Sequence, residues 1–427
     1  MSGNERKSND VSIYGWAIYL MVYLPLCLLP AVKYSVPYVP AGLFAMLPLL
    51  FAALNNIRYR MILVALVVFG MIQAIIVVLL GNAPITEIVN EPIRSVRYFV
   101  PCVLLEKVFD FSKKGQKVIW FFTTALIVFV IFQTIYALQN DPMVARILAQ
   151  GSIEDEELMN YRFQNVGGFG NCYAIGLTFA MWGYLTFHSS KTMKLISCAS
   201  MIFILYFAIQ VQYMTMFLFC IAAFLMVILF SNSNIYAKIF GFVLVVVIVL
   251  SLSSILRWIA SLDVDRTIYT KLTEFANTLD GVNNLNDTTS RANLYKSAFL
   301  AFLSNPIYGI NHSIDSHSTI LGIAASSGTV GLLAYLYGIK QIYIVTKTNL
   351  KKQNIDVKPF NMIFVLFVAL AVVNPVHYIY EISVVLLFYI PLTLNIFSEK
   401  VITNKNNDVV FEANSIFNKS FERKYTQ

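Results

Sequence analysis

The sequence predicts an all-α membrane protein, a single integral membrane domain of residues 1–427 that crosses the bilayer about twelve times. The chain is 58% hydrophobic and only 13% charged, whereas soluble domains are about 25% charged. Apolar runs of about 20 residues, enough to cross a hydrocarbon core of about 30 Å, recur along its length. Lys and Arg cluster in every second polar segment, which favours an even number of spans with both termini in the cytoplasm.

The first ten residues are hydrophilic, and the long apolar run after them is typical of a retained first helix rather than a cleaved signal peptide. The fourth run is the weakest, because charged residues such as Arg97 and Glu106 lie near its ends. The seventh and eighth runs are divided only at Gln210 and Gln212, which predicts a tight hairpin. The twelve runs are 13–32, 37–54, 61–80, 95–112, 118–138, 168–187, 195–210, 213–231, 235–256, 318–344, 359–375 and 381–398.

The two faces of this topology differ in their kind of positive charge. Only four of the 21 basic residues placed in the cytoplasm are Arg, against seven of the ten placed outside. Orientation requires positive charge of either kind, but guanidinium offers a planar fork that binds phosphate in a bidentate way. Snorkelling to lipid headgroups is the alternative for any single arginine. The set as a whole favours a phosphate-bearing ligand. The outer residues are Lys33, Arg94, Arg97, Arg146, Arg162, Arg257, Arg266, Lys271, Arg291 and Lys296.

Two outer loops are long, residues 139–167 and residues 257–317. The second is the only loop long enough to form a lid above the membrane. Its residues 266–279 place apolar side chains on one helical face, which predicts an amphipathic helix on the membrane or over a cavity. A second helix should follow, with Thr289 or Ser290 as its N-cap and Arg291 in its first turn. Residues 1–12 and the polar tail 400–427 should be cytoplasmic, and the tail mobile.

Several kinds of chemistry are not supported. The chain has no P-loop for ATP, no GxSxG elbow, and no HExxH or CxxC motif, so we expect neither a metal nor a cofactor. Nucleic acid is not an expected partner, because the basic residues are explained by membrane orientation.

Histidines mark the remaining candidate site. His317 is predicted in the first turn of the tenth span, after Asp315 or Ser316 as the N-cap. The positive end of a helix dipole favours a neutral ring that accepts a proton, and it also attracts phosphate. A capping histidine without a chemical role is an equally good interpretation of this pattern alone. His312 in the preceding loop and His377 in the turn NPVHYIYE are secondary candidates for the same cavity.

Two segments combine several motifs. In SRANLYKSAFLAFLSNPIYGINHSIDSHSTILGIAASSGTVGLL, an Arg-led helix runs into an Asn-Pro-x-x-Gly turn, and a histidine then opens a glycine-rich helix. This order of features resembles the bacterial O-antigen ligase and Wzy-type polysaccharide polymerase superfamily. The second segment, YRFQNVGGFGNCYAIG, is similar to that superfamily's other common motif. The matching residues are Arg291, Asn305-Pro306-Ile307-Tyr308-Gly309, His317, Gly328 and Gly331, and Arg162, Gly168-Phe169-Gly170 and Asn171.

The chain departs from the superfamily pattern at two places. Ser318 follows the histidine where members commonly have Asn, which bears on the orientation of His317. Gln210 and Gln212 stand where a Ser-Arg pair is common, so one basic contact would be absent or supplied from elsewhere.

The resemblance implies a metal-independent, inverting glycosyl transfer on the outer face of the bacterial inner membrane. The donor would be a glycan on undecaprenyl pyrophosphate, and the acceptor would be a sugar hydroxyl of another lipid-linked repeat unit. His317 would be the base, and Arg291 with Arg162 would hold the pyrophosphate. Arg94, Arg97 and Arg266 would be further contacts.

Partners would then be the lipid-linked donor and acceptor, membrane lipids, and a flippase and a chain-length regulator. One alternative is a ligase that uses the same donor but transfers the glycan to lipid A-core or to protein. A second alternative is a flippase for the lipid-linked oligosaccharide.

Overall fold

The computed structural model describes residues 3–81, 93, 96–141, 144, 148, 156–211, 213–230, 239, 243, 247, 251–261, 269, 270, 273, 276, 277, 286–310, 316–376, 379–398, 400–403 and 409–412. These residues are almost entirely helical, which confirms the all-α prediction. Five helices in this part of the chain are long and apolar enough to cross a membrane, so the chain has the character of a membrane protein. They are Tyr38–Asn55, Lys113–Asn140, Lys191–Gln210, Thr319–Lys352 and Tyr380–Phe397, and three shorter apolar helices are Tyr14–Leu28, Thr215–Leu229 and Lys358–Val373.

The elements follow one another closely in sequence. The helices are α1 Gly3–Leu28, α2 Pro30–Ser35, α3 Tyr38–Asn55, α4 Ile57–Gly81, α5 Val100–Phe109, α6 Lys113–Asn140, α7 Glu156–Phe163, α8 Phe169–Phe187, α9 Lys191–Gln210, α10 Met214–Phe230, α11 Leu252–Ala260, α12 Asn286–Ser304, α13 Thr319–Lys352, α14 Lys358–Val373 and α15 Tyr380–Phe397. A π-helical turn, Val385–Tyr389, lies inside α15.

In the C-terminal tail, strand β1 (Lys400–Thr403) pairs in antiparallel fashion with strand β2 (Val409–Glu412). β-Branched residues such as Val401 and Val410 suit such a ladder, whereas the polar average of the tail does not reveal it. The mobility of the tail stays a prediction.

Helix α8 lies at the centre of the helix bundle and packs against α9, α10, α14 and α15. Nearly all of its side chains are buried. Glycines allow the close approach: Gly176 lies against Met216, and Gly183 lies against Val227 of α10. The hairpin between α9 and α10 has the predicted position, since α9 ends at Gln210 and α10 begins at Met214.

In the described part of the fourth predicted run (95–112), the longest helix is the ten-residue α5. At 1.5 Å per residue this helix is about 15 Å long, too short to cross a bilayer alone. Its side chains Cys102, Leu104 and Leu105 are completely buried, so α5 is a core helix. The charges at both ends of the run explain its short length.

Helix α13 is interrupted at Gly328, where φ is +62° and ψ is −163°. The turn after α12 fills this break. The backbone N–H of Thr329 donates to the Pro306 carbonyl at 2.8 Å, and that of Val330 donates to the Ile307 carbonyl at 3.3 Å. The turn thus satisfies donors that the broken helix would leave free, as apolar surroundings require.

The same turn is held from its other side by Gly309, which has a φ of +74°. A Cβ at Gly309 would overlap the backbone of Ser326, and a Cβ at Gly328 would overlap the carbonyl of Ile307. Ile310 N–H also donates to the Ala325 carbonyl at 2.9 Å. Helices α12 and α13 are therefore joined through backbone contacts that only glycine permits.

The helices predicted in the loop 257–317 are described in part. Helix α12 is present but begins at Asn286, before Thr289 and Ser290, so Arg291 lies in its second turn rather than its first. Of the predicted amphipathic face, Ala276 is completely buried against Leu256. The other apolar positions of that face, Ile268, Leu272, Phe275 and Leu279, lie outside the described residues.

Two polar contacts of lysines lie at the end of the bundle opposite the candidate site. Lys352, at the end of α13, lies 3.4 Å from the carboxylate of Glu106. Lys113, at the start of α6, donates to the side-chain oxygen of Asn395 at 3.3 Å. Lys352 and Asn395 lie near the ends of α13 and α15, whereas the candidate site lies at the beginnings of those helices.

Replacing Gly328 by Ala should lower the stability of the protein by about 3 kcal/mol or more, because the conformation excludes a side chain and the added Cβ overlaps Ile307. Thermal unfolding of the purified protein in detergent measures the effect. Gly15→Ala in α1 is the control, since nothing lies within 4 Å of its Cβ position. Equal unfolding temperatures for the two variants would show that the close backbone contact between Gly328 and the turn after α12 does not stabilise the protein.

Candidate functional site

Lys33 contacts Glu381, and two further basic side chains lie against the neighbouring tyrosines: Arg97 against Tyr380, and Arg162 against Tyr34. We call Lys33, Arg97, Arg162 and Glu381 the cation cluster. Lys33 lies on the short helix α2, Arg97 precedes α5, Arg162 is in the last turn of α7, and Glu381 is in the first turn of α15. Sequence-distant helix ends therefore supply every member.

Lys33 and Glu381 form the ion pair of the cluster. The Lys33 ammonium lies 2.8 Å from Oε1 of Glu381, and the carboxylate side chain is only 6% exposed. Burial lowers the pKa of Lys33, but the Glu381 carboxylate raises it, and the balance leaves the pKa above its ordinary value. Lys33 therefore stays charged at neutral pH.

Arg97 is almost completely buried against two tyrosines. Its guanidinium carbon lies 3.8 Å from the centre of the Tyr380 ring and 5.6 Å from that of Tyr38. The two tyrosine hydroxyls are 3.1 Å apart and hold the rings together. These are cation–π contacts, which retain the charge on Arg97 without neutralising it. Among the described residues, the buried Nε of Arg97 has no hydrogen-bond partner.

Arg162 is also buried, with 8% of its surface exposed, and its guanidinium carbon lies 4.2 Å from the centre of the Tyr34 ring. Tyr34 is partly exposed and covers Arg162 from outside. Asn165, shortly after Arg162, accepts a hydrogen bond from Ala31 N–H at 3.0 Å. This bond ties the end of α7 to α2, which carries Lys33.

The cluster has more positive than negative charge. Its three cations face one carboxylate, and in the part of the chain that the structure describes, neither Arg97 nor Arg162 forms an ion pair. Buried charge is costly unless it is paired. An anion with about two negative charges would therefore be stabilised here.

Gly170 lies on the other side of Glu381, away from Lys33. The second carboxylate oxygen of Glu381, Oε2, is buried and has no hydrogen-bond partner among the described groups. A Cβ at Gly170 would overlap Ile379 and lie 3.1 Å from this oxygen. The first turn of α8 can approach Ile379 and Glu381 this closely only because Gly170 has no side chain. A small cavity beside the carboxylate is lined by Leu28 and Asn171.

His317 lies immediately before α13 rather than in its first turn, which corrects the predicted position. The N-cap is Ser318, whose hydroxyl accepts from Leu321 N–H at 3.2 Å; Ser316 instead donates to the Ser318 carbonyl at 2.6 Å. Asp315 is outside the described residues. Ser and Asn cap helices about equally well, so Ser318 is well suited to this position.

The backbone of His317 is in the left-handed region, with a φ of +45°. Two other non-glycine residues in the described chain have a positive φ: Asn165 at +61° and Asn354 at +57°. Such conformations cluster at functional sites, because the surrounding structure must hold them in place. Two of the three, His317 and Asn165, border the candidate site.

Asn374 fixes the start of α13. Its carbonyl accepts from both the backbone N–H and the hydroxyl of Thr319, at 3.1 and 2.9 Å. Val376 N–H donates to the same hydroxyl at 2.7 Å, and the Tyr173 hydroxyl of α8 donates to the Asn374 side chain at 3.2 Å. The N–H groups of Thr319 and Leu321 are thus already bonded and are not free to bind phosphate.

The His317 region and the cation cluster lie at the same end of the bundle. Asn374 and Glu381 are seven residues apart, and the short segment between them joins the two regions. Helix α12 also reaches this end, because the Tyr295 hydroxyl donates to the Val373 carbonyl at 3.2 Å. Arg291 lies one helical turn before Tyr295 on the same helix.

The structure brings together some of the predicted site residues. Arg97 and Arg162 are in the cation cluster, and His317 borders the same end of the bundle. The sequence did not single out Lys33 among the outer basic residues, and it did not identify Glu381, whose only signal was its position near His377. Arg94, Arg266, His312 and His377 lie outside the described residues, as does the side chain of Arg291. Within the described chain, no three His, Cys, Asp or Glu residues could hold a metal ion.

A scan of protein-family models finds no match to the chain, and a search of curated proteins finds no significant match. The resemblance of the two motif segments therefore stands on their residues alone.

Thr319→Val should destabilise the protein by about 1–2 kcal/mol, because Val376 N–H loses its shorter hydrogen bond, leaving only the one to the Asn374 carbonyl at 3.0 Å, and that carbonyl loses the Thr319 hydroxyl as a donor. Thermal unfolding in detergent measures the loss. Thr348→Val is the matched control on the same helix, since its hydroxyl donates only to the carbonyl of Ile344 one turn earlier. If both variants unfold alike, the Thr319 junction does not hold the start of α13.

Proposed function

We propose that the protein is a glycosyltransferase that polymerises lipid-linked repeat units on the outer face of the bacterial inner membrane. The proposal includes the twelve-span topology with both termini in the cytoplasm. The observation that supports it most is the excess of positive charge in the buried cation cluster. The leaving group of the proposed reaction, undecaprenyl pyrophosphate, supplies the negative charge that this cluster lacks.

The chemistry of the cluster suits a diphosphate leaving group. As the bond between sugar and phosphate breaks, negative charge grows on the phosphate oxygen, and fixed guanidinium groups stabilise it. Arg97 and Arg162 are held by tyrosine rings that leave their charge unpaired. Arg291 would approach the same ligand from α12, whose next turn contacts the end of α14 through Tyr295.

His317 would act as the base. The acceptor hydroxyl attacks the anomeric carbon and forms the new glycosidic bond, while the bond to the diphosphate oxygen breaks and its electron pair stays on that oxygen. The hydroxyl proton passes to the His317 ring. Attack opposite the leaving group inverts the anomeric centre. The capped start of α13 and the Thr319 bonds to Asn374 support a fixed position for this residue.

The distribution of charge supports an enzyme over a carrier. A flippase for the same lipid would require basic residues along a path through the membrane. In the described chain, Lys33, Arg97 and Arg162 gather instead at one end of the bundle.

His317→Ala should reduce chain growth by about 100-fold or more, because a positioned base contributes that much to proton transfer. Arg162→Lys should also weaken it, since Lys keeps the charge but loses the flat contact with Tyr34. The measurement is the glycan ladder formed by protein reconstituted in vesicles with a lipid-linked repeat unit. Arg257→Lys is the matched control: Arg257 is exposed and bonds to Asn277, away from the cluster.

Two outcomes contradict the proposal. Movement of the lipid-linked unit across the bilayer without chain growth would identify a carrier. Transfer of a glycan only to lipid A-core or to protein, with no ladder, would identify a ligase.

A further inference from the structure

Glu381 is the negative charge of the cation cluster, and its environment is unusual for a structural ion-pair partner. One oxygen binds Lys33 at 2.8 Å, but the other is buried and unpartnered among the described groups. Leaving a buried acceptor unsatisfied costs stability. A neutral Gln could also accept the hydrogen bond from Lys33, but it would leave the Lys33 charge uncompensated, so the carboxylate determines the net charge of the cluster.

We propose that Glu381 lowers the net charge of the cluster and so weakens binding of the freed lipid diphosphate relative to the sugar-bearing diphosphate donor. Three cations and one carboxylate give the described cluster a net charge of +2. This inference rests on the proposed function, and it makes Glu381 a specificity-determining residue rather than a catalytic one.

The two lipids differ in charge. The donor is a diester of diphosphate and carries one negative charge on each phosphate. Once the sugar has left, the terminal phosphate becomes a monoester that ionises a second time with a pKa of about 6, which adds about one negative charge at neutral pH. The donor therefore neutralises the +2 cluster, whereas the freed lipid brings one further negative charge close to the Glu381 carboxylate.

Glu381 is placed to repel that extra charge. It contacts Lys33 directly, and it follows Tyr380, whose ring lies against Arg97. At an effective dielectric constant of about 20, one charge a few ångströms away changes a binding equilibrium by about tenfold or more. Glu381 thus assists release of the freed lipid, a step that limits turnover in many enzymes.

Binding measured without chemistry tests the inference. The full-length protein in lipid nanodiscs is titrated with undecaprenyl diphosphate and with its terminal methyl ester, which has the donor's charge but no sugar. The readout is the ratio of the two dissociation constants. In Glu381→Gln the cluster charge becomes +3, and the ratio should shift by about tenfold towards the free diphosphate.

A double variant separates charge from structure. Lys33→Gln together with Glu381→Gln returns the cluster charge to +2, so the ratio should return to within about threefold of the wild-type value. A merely structural role for the ion pair predicts no such rescue. Glu106→Gln is the control, because it removes a carboxylate from another lysine pair, with Lys352, and should leave the ratio unchanged.

The outcomes are distinguishable. If the wild type binds both lipids and Glu381→Gln leaves the ratio unchanged, this inference is wrong and the proposed function stands. If the wild type binds neither lipid, both are wrong. If Glu381→Gln does not fold, Lys33→Gln alone lowers the cluster charge to +1 and must shift the ratio the opposite way; no shift would overturn the inference.

Discussion

The pairing of buried charge governs the end of the bundle where the site lies. The ion pair between Lys33 and Glu381 joins residues 348 positions apart and brings α2 against α15. Once α2 is fixed, its Tyr34 covers Arg162, and the ring of Tyr380 packs on Arg97. Each of these contacts shields a cation from water without cancelling its charge. Among the described residues, the cluster therefore carries more positive than negative charge.

A second set of contacts, made largely by the backbone, supplies the rigid frame. The turn after α12 fills the break at Gly328, and the carbonyl of Asn374 holds the first residue of α13. His317 is fixed between these two constraints in a left-handed conformation. Small residues and backbone hydrogen bonds, rather than long side chains, thus keep α12, α13 and α14 in register.

Much of the helical architecture follows from composition, because long apolar runs become helices wherever no charge interrupts them. The excess of Arg over Lys in the segments predicted to lie outside also drew attention to Arg97 and Arg162, two members of the cation cluster. The Lys33–Glu381 pair could not be predicted, because nothing local connects residues so far apart. The N-cap of α13 was ambiguous for a different reason: Asp315, Ser316 and Ser318 are all good capping residue types, and the tertiary bonds of Asn374 to Thr319 settle which one begins the helix. The described spans that match their predicted runs most closely are Tyr38–Asn55, Lys191–Gln210 and Tyr380–Phe397.

The central claim is that the cation cluster holds a lipid-linked diphosphate. The most direct measurement is an experimental structure of the protein in nanodiscs with undecaprenyl diphosphate bound. The account predicts phosphate oxygens within about 4 Å of the Arg97 and Arg162 guanidinium groups and of the Lys33 ammonium, with Tyr34 moved aside. A diphosphate bound elsewhere, with Tyr34 still covering Arg162, would contradict it.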